Sequence, residues 1–190
     1  MVRFHTCAKE RKNFMYDEFG KMDLNGINAK AEELANAGDN EGVVRLAKEN
    51  GIPEELASMY IEGETYYLCE DVTDAALGRI DIEADDIGAE EIMGDWADYI
   101  RSLIMDRESV ALAVMDPGKS FIDCVGKLTV YSIMHAEPVP PEIIKAMKDA
   151  VTDTQLKKLH MEKRHLEYTK IGMPGMGTAK RLIREYYGEG

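Results

Sequence analysis

Few side chains in this chain have the types and the spacing that catalysis needs. His160 and His165 are five residues apart, so they would not share one helical face as a metal-binding histidine pair does. Cys124 and His135 are eleven residues apart in a segment that reads as one helix, which is a poor arrangement for a nucleophile and its base. No phosphate-binding loop, nucleophile elbow or dinucleotide turn occurs. We therefore expect a protein that is not an enzyme and uses no cofactor.

Acidic side chains dominate the middle of the chain. Between Glu62 and Asp98, thirteen acids accompany one base, Arg79, so this acidic window carries −12 of the formal net charge of −13. Such a window repels phosphate and attracts basic surfaces, which favours a basic groove of a partner over free nucleic acid. The alternative is a solvated face that serves solubility. The residues that we expect to contact a partner are Glu83, Asp85, Asp86, Glu90, Glu91 and Asp95.

The same acids do not have the pattern of a metal site. The pairs Asp85–Asp86 and Glu90–Glu91 lack the alternating ligand spacing and the central glycine of a calcium-binding loop. The three cysteines are odd in number and far apart, which argues against a disulfide framework and against structural zinc. We therefore predict no metal.

The C-terminal part of the chain reverses the sign of the charge. From Lys157 to Arg184, eight bases accompany two acids. Within this part, a Pro-Gly-Met-Gly turn leads into a helix, whose first backbone N–H groups are suited to a phosphate. This segment resembles the hairpin of helix-hairpin-helix DNA-binding proteins, and the residues that would contact phosphate are Gly175, Gly177, Thr178, Lys180, Arg181 and Arg184. The alternatives are a tight interhelical turn with no ligand, and an intramolecular contact between the two oppositely charged parts.

Hydrophobic periodicity predicts an all-α fold, a compact multi-helix domain with a helix-turn-helix-like C-terminal hairpin. One aromatic segment, Thr65 to Leu68, is suited to a short extended piece. The expected helices cover residues 25–37, 40–50, 53–61, 89–105, 120–135, 142–151 and 153–170, with a further apolar segment at 109–115.

The expected organisation is an N-terminal extension (1–22), a helical core (23–170) and a C-terminal Gly-rich turn with a basic helix (171–190). The longest apolar run, Val110 to Met115, is far too short to span a membrane, and the first residues lack the apolar stretch of a signal peptide. We expect a cytoplasmic protein of a bacterial host cell, with no membrane partner.

Three segments resemble small proteins of bacterial conjugative elements and prophages: Asn25 to Asp39, Asp116 to Cys124, and Gly172 to Tyr187. The helix start at Lys119-Ser120, followed by Cys124, is similar to the PcfK-like family, some relatives of which inhibit Cas9 as anti-CRISPR proteins. The resemblance implies Cas9, or its complex with guide RNA, as the partner.

Two functional hypotheses follow. In the first, the protein is an anti-CRISPR that binds Cas9 through its acidic residues in place of nucleic acid and blocks DNA recognition or cleavage. In the second, it is a non-specific DNA-binding accessory protein of a mobile element, and the C-terminal hairpin contacts duplex DNA.

Overall fold

The computed structural model describes residues 15–188. These residues form two compact units, the first made of 15–124 with 183–188 and the second of 125–182. Residues 15–22 of the expected N-terminal extension belong to the first unit, and residues 1–14 lie outside the described residues.

The described chain is all-α, as the periodicity predicts. Its remaining regular structure is a 3-10 helix, Lys163–Tyr168, and two antiparallel two-residue strands, β1 (Glu137–Pro138) and β2 (Lys170–Ile171). The helices are α1 (Leu24–Asn36), α2 (Asn40–Glu49), α3 (Glu54–Glu62), α4 (Val72–Ile87), α5 (Glu91–Asp106), α6 (Glu108–Met115), α7 (Phe121–Met134), α8 (Pro141–Ala150), α9 (Asp153–Lys158) and α10 (Met176–Tyr186).

Short acidic side chains begin three helices of the first unit. The carboxylates of Asp23, Asp39 and Asp71 accept hydrogen bonds from first-turn amides of α1, α2 and α4. Each such cap contributes roughly 1 kcal/mol to helix stability. Helix α4 ends at Gly88, whose left-handed backbone suits glycine. Part of the acidity of the chain is therefore structural.

Helix α4 is the central element of the first unit and packs against α5 and α6. Ile80 on α4 is fully buried, and Trp96, Ile100 and Ile104 of α5 are also buried. Burial of each large apolar side chain stabilises the fold by roughly 1.5–3 kcal/mol. The acids of the window that lie on α4 are thus carried by a helix whose other face is core.

Two glycines bring α4 close to the turn after α2. A Cβ added at Gly78 would lie 1.8 Å from the carbonyl oxygen of Gly51, and Gly51 itself has φ +72°. Only glycine allows this approach, because any side chain would overlap backbone atoms. The contact fixes α4 against the α2–α3 connection.

The second unit differs from the prediction of one long helix over residues 153–170. Helix α9 ends at Lys158, and His160 has φ +53°, a left-handed conformation that stops a helix. The chain then continues into the 3-10 helix, which packs against α8. This break buries both Leu156 and Leu166.

The extended structure also lies elsewhere than expected. Residues 65–68 form a loop without strand pairing, whereas β1 and β2 pair in the second unit, with Glu137 opposite Ile171. Directly after this loop, the Asn28 side chain on α1 makes two hydrogen bonds to the Cys69 backbone, which attaches the segment to α1.

Within residues 15–188, no helix combines the length and the apolar character that crossing a membrane would require.

Candidate functional site: an acidic surface and a C-terminal helix start

The end of α4 and the start of α5 bring five of the six expected contact residues together. Asp85 and Asp86 lie in the last turn of α4, while Glu90 precedes α5 and Glu91 and Asp95 lie in its first two turns. The connection is short because Gly88 ends α4 and the N–H of Ala89 bonds to the carbonyl of Ala84 (2.9 Å). We call Asp85, Asp86, Glu90, Glu91 and Asp95 the acidic surface.

Four of these carboxylates are exposed and have no ion pair with any described residue. They are Asp85, Glu90, Glu91 and Asp95. Asp86 is half-buried and already takes part in an interaction within the protein. Elsewhere in the acidic window, Arg101 pairs with Asp81 and Asp98, both at 2.7 Å. The charge of these four carboxylates, Asp85, Glu90, Glu91 and Asp95, is therefore not balanced by an ion pair with a described cation.

The position of Asp85 is unfavourable for the helix itself. The C-terminal end of a helix carries partial negative charge, so an acid there reduces helix stability by about 0.3–1 kcal/mol. Helix α4 has no base in its last turn that would compensate. Glu91, on the same acidic surface, has φ +51°, a backbone conformation that residues other than glycine rarely adopt. The charge of Asp85 is therefore not explained by helix stability, whereas that of Glu91 suits the start of α5 and only its backbone conformation is unfavourable.

Glu83 does not belong to the acidic surface, which corrects the sequence-based expectation. Its side chain is 1% exposed and accepts hydrogen bonds from the Tyr16 hydroxyl (3.0 Å), the Lys21 ammonium (2.6 Å) and the Phe121 backbone N–H (2.6 Å). Phe121 is the first residue of α7, so the Glu83 carboxylate also caps that helix. A carboxylate used in this way is not accessible to a partner.

Arg79 completes this buried polar network. Its guanidinium is fully buried and donates hydrogen bonds to the backbone carbonyls of Met22 and Met115. Burial lowers the pKa of Arg79 and of Lys21 and raises the pKa of Tyr16. Residues 16–22 are thereby attached to α4, and the only base of the acidic window is used inside the protein.

A groove of about 660 Å³ adjoins the acidic surface. Asp85, Asp86 and Ile82 line one part of it, and Glu49 and Arg45 line another. The lining holds five acids against two bases, Arg45 and Lys48, and Arg45 pairs with Glu18 at 2.8 Å. The groove therefore extends the negative surface instead of neutralising it.

The C-terminal segment places its expected phosphate contacts along α10. Gly175 precedes the helix, Gly177 and Thr178 lie in its first turn, and Lys180 and Arg181 follow. Arg184 is exposed near the end of the same helix. Gly175 has no side chain to cap the first amides, as Asp or Ser would.

The structure does not require glycine at two of these positions. Neither Gly175 nor Gly177 has a positive φ, and a Cβ added at either would meet nothing within 4 Å. In contrast, a Cβ at Gly172 would lie 1.8 Å from the carbonyl oxygen of Ser132. Of the glycines in this segment, only Gly172 is explained by packing.

Sequence reasoning missed a second feature of the first unit. Three tyrosines, Tyr60, Tyr66 and Tyr67, line a groove of about 1000 Å³ together with Glu32 and Glu70. The available signal is the aromatic segment Thr65 to Leu68, but aromatic residues favour strands, so the sequence predicts a short extended piece there.

Among residues 15–188, no three His, Cys, Asp or Glu side chains are grouped so as to hold a metal ion. Comparison of the chain with protein-family models, with curated proteins and with solved structures found no match.

Proposed function

We propose that this protein is an inhibitor that docks its acidic surface on the basic, nucleic acid-binding groove of an effector protein. The effector to test first is Cas9, or Cas9 with its guide RNA, because the sequence resembles the PcfK-like family. The observation that carries the proposal is the set of exposed, unbalanced carboxylates at the junction of α4 and α5.

Charge and position support this proposal over a purely solubilising role. A solvated face needs charge but no particular arrangement of it. Asp85, however, lies at the C-terminal end of α4, where a negative charge reduces the stability of the helix. Residues that weaken the fold without a structural role are common at functional sites. On the same surface, Glu91 adopts a strained left-handed backbone, although its charge suits the first turn of α5.

The mechanism follows from electrostatics. Cas9 holds its nucleic acids in positively charged channels and reads its recognition sequence with arginines. A rigid set of carboxylates between two packed helices would meet those basic groups without the entropy loss of ordering a flexible chain. Binding should then weaken as salt increases, because exposed charges are screened.

The test is DNA cleavage by purified Cas9 with guide RNA, titrated with this protein. The triple variant Asp85→Asn, Glu90→Gln, Asp95→Asn should need at least about tenfold more protein for half inhibition. The matched control neutralises three exposed acids elsewhere, Glu54→Gln, Glu55→Gln, Glu108→Gln, and should inhibit like the wild type. Equal inhibition by the wild type and the first triple variant would contradict the proposal.

The second candidate function is non-specific DNA binding through the start of α10. It is favoured by one observation, the two glycines that neither backbone conformation nor packing requires. Glycines at a helix start let backbone amides approach a phosphate closely. Lys180, Arg181 and Arg184 would add charge along the same helix.

A mobility shift with duplex DNA in the absence of Cas9 tests this candidate. DNA binding should weaken steeply with salt, and further in the variant Lys180→Glu, Arg181→Glu. Gly177→Ala should also weaken it while leaving the fold intact. If the wild-type protein gives no shift at low salt, this candidate is excluded.

A further inference from the structure

The tyrosine groove of the first unit is separate from the acidic surface and has the chemistry of a binding site. It is formed by α1, α3 and the loop of residues 63–71, and its described lining contains two acids and no base. The residues that matter here are Tyr60, Tyr66, Tyr67, Glu32 and Glu70, which we call the tyrosine groove.

The rings are presented to solvent and not packed. Tyr66 is 93% exposed and Tyr67 57% exposed, values that are high for side chains with so much apolar surface. Among the described residues, neither ring has an aromatic or cationic neighbour, and neither hydroxyl has a hydrogen-bond partner. Solubility does not account for two adjacent exposed tyrosines.

The loop that carries these rings is fixed in place. The Asn28 side chain on α1 donates to the Cys69 carbonyl (2.8 Å) and accepts from the Cys69 N–H (3.1 Å). The Thr65 hydroxyl donates to the Tyr67 carbonyl (3.0 Å), and Leu68 is buried. The rings are therefore held on an ordered loop, which reduces the entropy that binding would cost.

The lining selects for a cation. The face of a tyrosine ring carries partial negative charge and attracts a cation, and the Glu32 and Glu70 carboxylates add formal charge beside it. Burial of the Tyr60 hydroxyl raises its pKa, and the nearby carboxylate of Glu32 raises it further, so this hydroxyl stays protonated. An anion or an acidic peptide would be repelled.

Among biological cations, arginine fits best. Its planar guanidinium stacks on an aromatic face and can bond to a carboxylate at its edge at the same time, whereas the compact, strongly hydrated ammonium of lysine does not stack. We propose that the tyrosine groove binds an arginine side chain within a basic segment of a partner protein. This site goes beyond the acidic surface and does not depend on it.

The test measures binding of the full-length protein to a fluorescent peptide of alternating arginine and glycine, by anisotropy at low salt. The variant Tyr66→Ala, Tyr67→Ala should bind the peptide roughly tenfold more weakly. Tyr66→Phe, Tyr67→Phe should bind like the wild type, because the ring face is kept. A peptide with lysine in place of arginine should bind the wild type more weakly.

Two controls make the result specific. Tyr168→Ala removes a tyrosine that is 81% exposed in the other unit and should leave peptide affinity unchanged. The acidic-surface triple variant, Asp85→Asn, Glu90→Gln, Asp95→Asn, should keep most of the affinity for the peptide. Because Tyr66 is 93% and Tyr67 57% exposed, loss of the two rings should not unfold the protein, and circular dichroism verifies this.

The inference is overturned if the wild type does not bind the arginine peptide, or if Tyr66→Ala, Tyr67→Ala binds it like the wild type. Loss of peptide binding only in the acidic-surface triple variant overturns it as well and leaves the proposed function standing. Peptide binding through the tyrosines with no inhibition of Cas9 supports the groove and removes the proposed function.

Discussion

Residue by residue, the acids of this protein have two opposite uses. Glu83 is buried and bonded to Tyr16, Lys21 and the start of α7, whereas Asp85, two positions later, is exposed and unbalanced by any described cation. The two residues point to different sides of α4, because two positions along a helix correspond to a rotation of about 200°. Charge density alone therefore does not identify the functional residues.

The first prediction concerns Glu83. Glu83→Gln leaves Lys21 and Arg79 without their buried carboxylate, so the free energy of unfolding should fall by about 3 kcal/mol or more. Asp81→Asn on the same helix removes an exposed pair with Arg101 and should change it by less than about 1 kcal/mol. Urea unfolding followed by Trp96 fluorescence measures both. Similar losses in the two variants would refute the structural role of Glu83.

At the scale of elements, glycines decide where helices approach each other. Gly78 lies against the carbonyl of Gly51, while Gly126 in α7 has open space around the position of a Cβ. Both lie inside helices, where glycine is less favourable than alanine by about 0.5–1 kcal/mol. The same substitution should therefore have opposite effects at the two positions.

The second prediction uses this contrast. Gly78→Ala should lower the free energy of unfolding by about 2 kcal/mol, because the new Cβ pushes α4 away from the α2–α3 turn. Gly126→Ala should raise it by up to about 1 kcal/mol. Thermal and urea unfolding of the two single variants provide the comparison. A stabilised Gly78→Ala variant would mean that the two backbones are not in contact.

The sequence predicts most elements but not the central one. Helices α1, α2, α3, α5, α7 and α8 lie close to the expected ranges because their apolar residues recur with helical spacing. Helix α4 was not predicted, since its buried face includes Arg79 and Glu83, which appear in the sequence as exposed charges. Asp71 and Gly88, the residues that begin and end α4, were the available signal.

The two candidate sites differ in the same way: the acidic surface depends on residues close in sequence, and the tyrosine groove depends on tertiary packing. The five acids of the acidic surface lie together as expected, because they are close in sequence and the α4–α5 connection is short, and their role stays a prediction. The tyrosine groove was not, because Glu32 and Tyr60 come from different helices and only tertiary packing brings them near the loop at 65–67. The burial of Glu83 likewise depends on Lys21, 62 positions away in the chain.

At the scale of the whole molecule, buried tyrosine hydroxyls contribute to the response of stability to high pH. The Tyr187 hydroxyl is buried and has no hydrogen-bond partner among the described residues. Burial raises the pKa of Tyr187 and of Tyr16 above the ordinary value of about 10. Above about pH 10, tyrosines of the unfolded chain lose protons that the folded chain retains, so stability should decrease there.

The third prediction isolates Tyr187. Tyr187→Phe removes an unsatisfied buried hydroxyl, so the free energy of unfolding at neutral pH should rise by about 1 kcal/mol. The decline above about pH 10 should be shallower than in the wild type by up to 1.4 kcal/mol per pH unit. The lowered pKa of Lys21 acts with the opposite sign in both proteins, so the difference between them reports on Tyr187 alone. The exposed Tyr168→Phe is the control, and parallel curves for all three proteins would contradict the prediction.

The central claim is that the acidic surface competes with nucleic acid for a basic groove. Its most direct test is the affinity of guide-loaded Cas9 for labelled target duplex, measured by anisotropy at increasing concentrations of this protein. Competition predicts that the apparent Kd for DNA rises in proportion to the protein concentration and that Asp85→Asn, Glu90→Gln, Asp95→Asn largely abolishes this rise. A DNA affinity that does not change even when this protein is in large excess would contradict the account.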